Sequence, residues 1–467
     1  KVLNKPYVVI LSLGGPEGAH DGTSLQEQAL DSFVGAGKKG KAVVVAAGND
    51  GDNKIHAGGT MSGSAVNVEF NVPTYTANAG TQNDYVLFEA WYAGAANLSF
   101  QLTSPSNVVY GPVASGSKIG VDRADGAVVI DNASAGKNPL NNDKQVVIQV
   151  FDNSANIPKS GTWKLTITGA SGRYDLWLYN TTMNAELTSG FDFTRLVAIP
   201  ATAKNVIAVG SWVSKKTWKH LDGLDLTIAS LVVGAASDFS NPGPTRDGRV
   251  KPDVCAPGQM IGSTYSADAP PSGTNSIWKG TTQYPNGFIL YDNRHAIGNG
   301  TSFAAPLIAG GVALMLQRNN ALDADQLRKA LITTAGTDNF TGAAPNNIWG
   351  YGKADLLAAL GTFTNVAEPN APEQLPSSFA LLPSFPNPFA QTRGAQTAIV
   401  YHLPQATQVE VAIFDVTGRK VRTLLAGQVA AGKHELRWDG RDAVGRSVSA
   451  GVYFYKMQAG KFAQAQK

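Results

Sequence analysis

Two kinds of hydrophobic pattern alternate along the chain. Residues 1–59 set an apolar run (Tyr7 to Leu13), a glycine turn, a stretch with helical spacing (Thr23 to Ala36) and a second apolar run (Ala42 to Ala47). Continuous apolar runs bounded by turns suit strands buried on both faces, and strand–helix–strand order predicts parallel pairing. From about Thr60 to Asn180 the period changes to two, as in Tyr85 to Tyr92, Leu98 to Leu102, Gln145 to Phe151 and Trp163 to Thr168. That alternation without helical spacing predicts an antiparallel β-sandwich. From Phe191 the first style returns, with the strand Val206 to Val209, the turn-rich SNPGPTRDGRVKPD and an apolar helix beginning near Ser302. The fold class expected is therefore α/β: a parallel-sheet core (1–59 and 191–362) with an antiparallel β-sandwich (60–190) inserted in one of its loops.

Residues 363–383 are proline-rich and read as a stiff linker. Beyond it, residues 384–467 hold short strands at regular spacing (IVYHL, VEVAIFDV, HELRWDG, GVYFYKM), which predict a small immunoglobulin-like sandwich with turns at Gly440 and Gly451 and a core around Trp438 and Tyr453. The formal charge of +3, with scattered lysines and arginines, argues for no nucleic-acid partner. No apolar run reaches the roughly 18 residues needed to span a bilayer, so the chain is not expected to be integral in a membrane; Leu307 to Leu316 reads as a buried helix and Leu307 as apolar core. The lone cysteine, Cys255, in KPDVCAPG, reads as a buried inert thiol.

One segment carries chemistry. Gly298-Asn299-Gly300-Thr301-Ser302-Phe303-Ala304-Ala305-Pro306 places a hydroxyl where a glycine turn enters a helix of small residues. Unpaired N–H groups and the positive dipole end at a helix start favour developing negative charge, and Pro306 is expected in the first turn, where a missing N–H costs little. Taken alone, the triplet fits Ser302 as a helix cap better than as a nucleophile.

With its neighbours the segment resembles the subtilisin-like (subtilase) serine proteases, whose nucleophile lies in a Gly-Thr-Ser-x-Ala-x-Pro motif. SLGG (12–15), AVVVAAGNDG, NVIAVGSW, DFSNPGP and KPDVCAPG resemble further family segments in the same order. The resemblance implies a serine endopeptidase acting through an acyl-enzyme on Ser302, with the Asn49 side-chain amide as oxyanion donor. It implies that Ser12, Leu13, Gly14, Gly15, Ala46, Ala47, Gly48 and Thr301 line the cleft for a protein or peptide substrate. No cofactor is required. The family's catalytic Asp and His precede the strand that here begins the chain, so they are expected in an upstream segment or a partner chain. By itself the chain is expected to be inactive. None of the six histidines fits the family's motif; His20 reads as a loop residue, and His56, His220, His295, His402 and His434 read as surface residues. The alternative is a catalytically inactive, structural or adhesive surface protein of the same fold.

The insertion resembles the P-domain-like sandwiches of secreted subtilases. Its segment 131–143 offers hard oxygen ligands for a structural calcium ion, but matches no defined calcium loop and reads first as a polar surface loop, so no metal site is assigned. FPNPF, IFDVTGRKVRTL and HELRWDGRDAVGRSVSAGVYFYKMQAG resemble a type A C-terminal sorting domain of type IX secretion. That implies recognition by secretion machinery and a secreted or outer-surface location in a Gram-negative bacterium.

Overall fold

In the core, strand β1 (Tyr7–Leu11), helix α1 (Leu25–Phe33) and strand β2 (Lys41–Ala46) are followed, after the insertion, by β3 (Ile207–Val213) and β4 (Val254–Gln259). The four strands make one parallel sheet in the order β1-β2-β3-β4. The structure is a computed structural model and describes residues 5–153, 156–266, 276, 278, 280–363, 376–389 and 396–467.

Helix α1 starts where Ser24 accepts from the Glu27 N–H while the Glu27 side chain reaches back to the Ser24 N–H, a reciprocal cap. Helix α2 (Thr301–Arg318) packs Ala304, Ala305, Ile308, Val312 and Met315 against Val44, Val209 and Val254. A Cβ at Gly311 would lie 2.4 Å from the end of the Leu356 side chain, which would have to shift to admit it. Two residues depart from expectation. Pro306 is the sixth helical residue and not in the first turn, and Leu307 is 42% exposed and not core, because it faces away from the sheet. Among the described residues β1 pairs only with β2; its outer edge is open and Ile10 on it is 38% exposed.

The insertion consists of a six-stranded and a five-stranded antiparallel sheet. Their alternating inner residues, among them Phe70, Phe88, Phe100, Tyr110 and Trp163, form one core. Trp163 is fully buried, a burial worth about 3–5 kcal/mol against alanine. Strand His56–Met61 pairs with Gly172–Thr181 in the six-stranded sheet, so sandwich pairing begins at His56 and not at residue 60.

A second unit comprises residues 365–467. It has a three-stranded sheet and a four-stranded sheet around Ile399, Val411, Trp438 and Tyr455. Strand Ala380–Leu381 already pairs with Tyr401–His402, so this sandwich starts before residue 384. Tyr453 packs edge-on to Trp438 at 5.2 Å, while Tyr455 is the more buried tyrosine. The expected linker, 363–383, lies largely outside the described residues. No described helix is long and apolar enough to cross a membrane.

Insertion and core are fastened by a buried aromatic and ionic cluster. The Trp177 ring stacks on His20 of the core at 4.2 Å and contacts His56 at 4.9 Å. His56 Nδ1 meets Asp192 at 2.9 Å and its Nε2 lies 3.5 Å from Asp175, which also pairs with Arg173 and Arg195. Neither histidine is exposed, because each ring is sealed under this junction: His20 lies in a loop, as expected, whereas His56 is not the surface residue expected. Burial opposes charge on His56, but the carboxylates of Asp175 and Asp192 beside its ring outweigh it and raise its pKa. Burial lowers the pKa of His20 to about 4. The two rings flanking one tryptophan are thus pushed in opposite directions.

The signs predict that these two histidines together favour the fold most near pH 6.5. His56 contributes fully below its ordinary value of 6.5 and loses that contribution as pH rises through its raised folded value. His20, neutral in the fold, contributes above 6.5 and loses its share as pH falls toward 4. Thermal unfolding followed by tryptophan fluorescence should decline on both sides, and His56→Gln should remove the alkaline decline only. Superimposable alkaline limbs for parent and variant would contradict this assignment.

Candidate active site

The carboxyl end of β2 and the start of α2 meet at Gly48–Asn49 and Gly300–Ser302. Gly300 caps α2 at φ +139, a conformation closed to most side chains. Its loop is pinned twice: the Gly300 N–H donates to the Gly258 carbonyl at 2.9 Å, and Asn299 Oδ1 accepts from the Met260 N–H at 2.7 Å. Ser302 is therefore the second helical residue, not the cap.

Thr301, fully buried, joins the two segments. Its N–H donates to Asn49 Oδ1 at 2.9 Å, its hydroxyl lies 3.0 Å from the same oxygen, and that hydroxyl accepts from the Gly48 N–H at 3.1 Å. Two donors on one oxygen fix which end of the Asn49 amide is which. Nδ2 is left without a hydrogen bond among the described residues, as are the Ser302 N–H and Oγ. A point one bond out from the Gly300 Cα lies 3.4 Å from Asn49 Nδ2 and 3.6 Å from Ser302 N, so both free donors border one small space.

The other residues expected in the cleft have mixed fates. Ser12 lies beside Ser302, but its hydroxyl donates to the Ser302 carbonyl at 3.0 Å. That carbonyl would normally accept from residue 306, and Pro306 has no N–H, so Ser12 replaces a helix bond. Leu13 is 55% exposed, and Gly14 must be glycine because a Cβ would come within 2.8 Å of the Ile199 carbonyl. Gly15 exchanges both backbone bonds with Ile199 (3.1 and 2.9 Å), which occupies the backbone expected to pair with a peptide. Ala46 and Ala47 are buried and line no cleft, since β2 is an inner strand and the Ala47 carbonyl accepts from the Ala198 N–H at 2.8 Å.

Sequence reading missed Asn241. It is 1% exposed; its Nδ2 donates to the Leu196 carbonyl at 2.6 Å, its Oδ1 accepts from the Asp50 N–H, and its own N–H donates to the Gly48 carbonyl at 3.2 Å. It therefore holds the residues on both sides of Asn49. Its place within DFSNPGP was the available signal, but nothing local to that segment reveals the partner.

No histidine hydrogen-bonds to Ser302 among the described residues. His220 is also buried and lies 3.3 Å from Asp222, while His295 pairs with Asp292 at 2.6 Å. Burial pushes the Cys255 thiol up to about 12. In the segment 131–143, Asp131 pairs with Lys118, Asn132 is buried against Tyr92, and Asp143 pairs with Arg246. No group of three or more metal-binding side chains assembles among the described residues.

The Gly48–Asn241 contact yields a double-mutant test. Gly48→Ala would place a methyl 2.1 Å from Asn241 Nδ2 at φ +111, and should destabilise by roughly 2 kcal/mol or more. Asn241→Ala should cost a similar amount by leaving buried polar groups unpaired, again roughly 2 kcal/mol. In denaturant unfolding the double variant should recover about 1 kcal/mol relative to additivity, because the truncated side chain makes room for the methyl. Strict additivity would show that the two do not touch.

Residues 132–352 match the subtilase family and residues 388–461 the FlgD Ig-like domain. The first match covers Ser302 but not Asn49, whose placement rests on the structure. The chain is 33% identical over 159 residues to the serine protease AprX and 31% identical over 160 residues to the minor extracellular protease Vpr, both of Bacillus subtilis (strain 168). Each alignment covers 34% of this chain, but only 30% and 17% of those relatives. The Clostridium perfringens CspB protease structure superimposes with a TM-score of 0.59 at 25% identity, covering 77% of this chain and 66% of that one. The chain thus carries a subtilase-family domain, homologous to subtilisin-type serine peptidases, with a FlgD Ig-like domain after it.

Proposed function

We propose that the chain is the nucleophile-bearing part of a secreted serine endopeptidase. The observation that carries this reading is the pair of free donors, Asn49 Nδ2 and Ser302 N–H, bordering the space beside Gly300 at the start of a helix. Ser302 Oγ attacks a peptide carbonyl, and the carbonyl oxygen gains negative charge between those donors. The C–N bond then breaks, the amine leaves with a proton, and water hydrolyses the ester on Ser302.

A serine hydroxyl needs a general base held in one tautomer by a carboxylate. No described residue supplies one to Ser302. The open edge of β1 and the exposed Ile10 favour a further strand paired there, and in this reading that upstream segment, or a partner chain, brings the Asp and His. The FlgD Ig-like unit serves as the sorting domain that directs the protein through type IX secretion to the outer surface of a Gram-negative cell. The likeness to an extracellular protease supports export. No cofactor enters the chemistry. The lack of a base near Ser302 also favours a second reading, an inactive surface protein that keeps the fold.

A fluorophosphonate probe separates these readings. The product with its native upstream segment should be labelled at Ser302, and residues 1–467 alone should not. Asn49→Ala in the longer product should lower kcat by about 10²–10³ with little change in KM, a magnitude established on subtilisin itself. Labelling of the isolated chain would mean that the base lies within it, and no labelling of either would favour the inactive surface protein.

A further inference from the structure

The outer face of the six-stranded sheet of the insertion carries a recess that the chemistry at Ser302 does not use. In strand Tyr85–Tyr92, Val86, Phe88 and Ala90 fill the sandwich core, so Tyr85, Leu87, Glu89 and Trp91 project from the opposite face. At one end of that face Glu89, 3% exposed, accepts from the Gly18 N–H of the core at 2.8 Å, from Trp91 Nε1 at 2.9 Å and from Gln145 Nε2 at 2.6 Å. Those bonds fix the sheet against the core. Tyr85 stands four residues further along the strand, about 13 Å away. There a cavity of about 320 Å³ is lined, among the described residues, by Gln82, Tyr85, Leu87, Gln149 and Phe151.

Strand register builds its floor. Tyr85 lies directly opposite Phe151, and Leu87 opposite Gln149, so two aromatic side chains stand side by side with an apolar chain and an amide in the next row. All four are half-buried. Gln82 borders the recess from the preceding loop with φ +59, a conformation uncommon outside glycine. The neighbouring Asp152 holds that loop. Its carbonyl accepts from the Gln82 N–H at 3.0 Å, and its carboxylate accepts from the N–H groups of Asn83 and Asp84, both at 2.8 Å. The backbone carrying Gln82 is therefore fixed before any ligand arrives, which lowers the ordering cost of binding.

What the lining offers and what it lacks select a ligand. The side-chain amides of Gln82 and Gln149 and the Tyr85 hydroxyl make no hydrogen bond among the described residues, and each can both donate and accept. No charged side chain lines the recess among the described residues, so an ionised ligand would lose hydration without gaining a counter-charge. A purely apolar ligand would cover the amides without matching them. A sugar ring meets all three conditions. One of its faces presents C–H groups to the electron-rich face of an aromatic ring, and its rim presents hydroxyls that donate and accept in turn.

We propose that this face of the insertion binds a neutral carbohydrate, with a pyranose ring stacked on Tyr85 and Phe151 and its hydroxyls paired with Gln82 and Gln149. The inference does not rest on the peptidase reading. It assigns the insertion a tethering role that is separate from the chemistry at Ser302.

The test is calorimetric titration of the full chain with cellohexaose, laminarihexaose, mannohexaose and chitohexaose, and with an oligogalacturonate as the charged counterpart. At least one neutral hexasaccharide should bind. Tyr85→Ala and Phe151→Ala should each weaken that binding about tenfold, whereas Phe151→Tyr should keep it. Gln82→Gly suits the backbone at that position, so it should weaken binding about fivefold without loss of thermal stability. Binding of none of the neutral sugars, binding of the oligogalacturonate alone, or unchanged affinity in both alanine variants would overturn the proposal. So would capture of a proline-rich peptide in place of any sugar, since such peptides also dock on aromatic rings and would assign the recess to a protein partner.

Discussion

One bifurcated contact governs the site. Asn49 Oδ1 accepts both the N–H and the hydroxyl of Thr301, a residue 252 positions away, and so ties the carboxyl end of an inner strand to the first residue of the buried helix. Gly48 must be glycine to let Asn241 close in, Gly300 must be glycine to turn the chain into the helix, and the Asn49 amide is left pointing one donor away from its anchor. Pro306 costs one helix bond in the next turn, and Ser12 restores a donor to the carbonyl it strands.

A whole β-domain separates Asn49 from Thr301, so the contact survives only if the insertion leaves the core undisturbed. The junction achieves this with buried polar partners and aromatic stacking. Trp177 lies between two histidines held at opposite charge preferences, and Glu89 receives three donors drawn from both sides of the border. Such a junction is rigid when fully satisfied, because each unmade bond inside it would leave a desolvated polar group.

Much of this was legible in the sequence where chemistry is local. A glycine turn entering a run of small residues announces the start of α2, period-two alternation announces the sandwich, and AAGN marks a strand end that turns. Long-range compensation was not legible. Ser12 reads as a cleft residue until Pro306 is seen inside the helix, and Ala46 and Ala47 read as cleft residues until β2 is seen with a strand on each side. The burial of His56 was hidden for the same reason: His20, His56, Asp175, Trp177 and Asp192 come together from distant segments, and none carries a neighbour that betrays its burial. Asn241 sits in a recognisable segment, yet its three bonds reach Leu196, Gly48 and Asp50, which no spacing rule connects.

In the proposed reading Thr301 aims the Asn49 amide and the Ser302 N–H at one shared anion position. A crystal structure of the product carrying its upstream segment, soaked with a peptide boronate, should then show boron bonded to Ser302 Oγ, with one boronate oxygen within hydrogen-bond reach of both Asn49 Nδ2 and Ser302 N–H. A boronate on Ser302 whose oxygens avoid Asn49, with the amide turned away from Thr301, would contradict it.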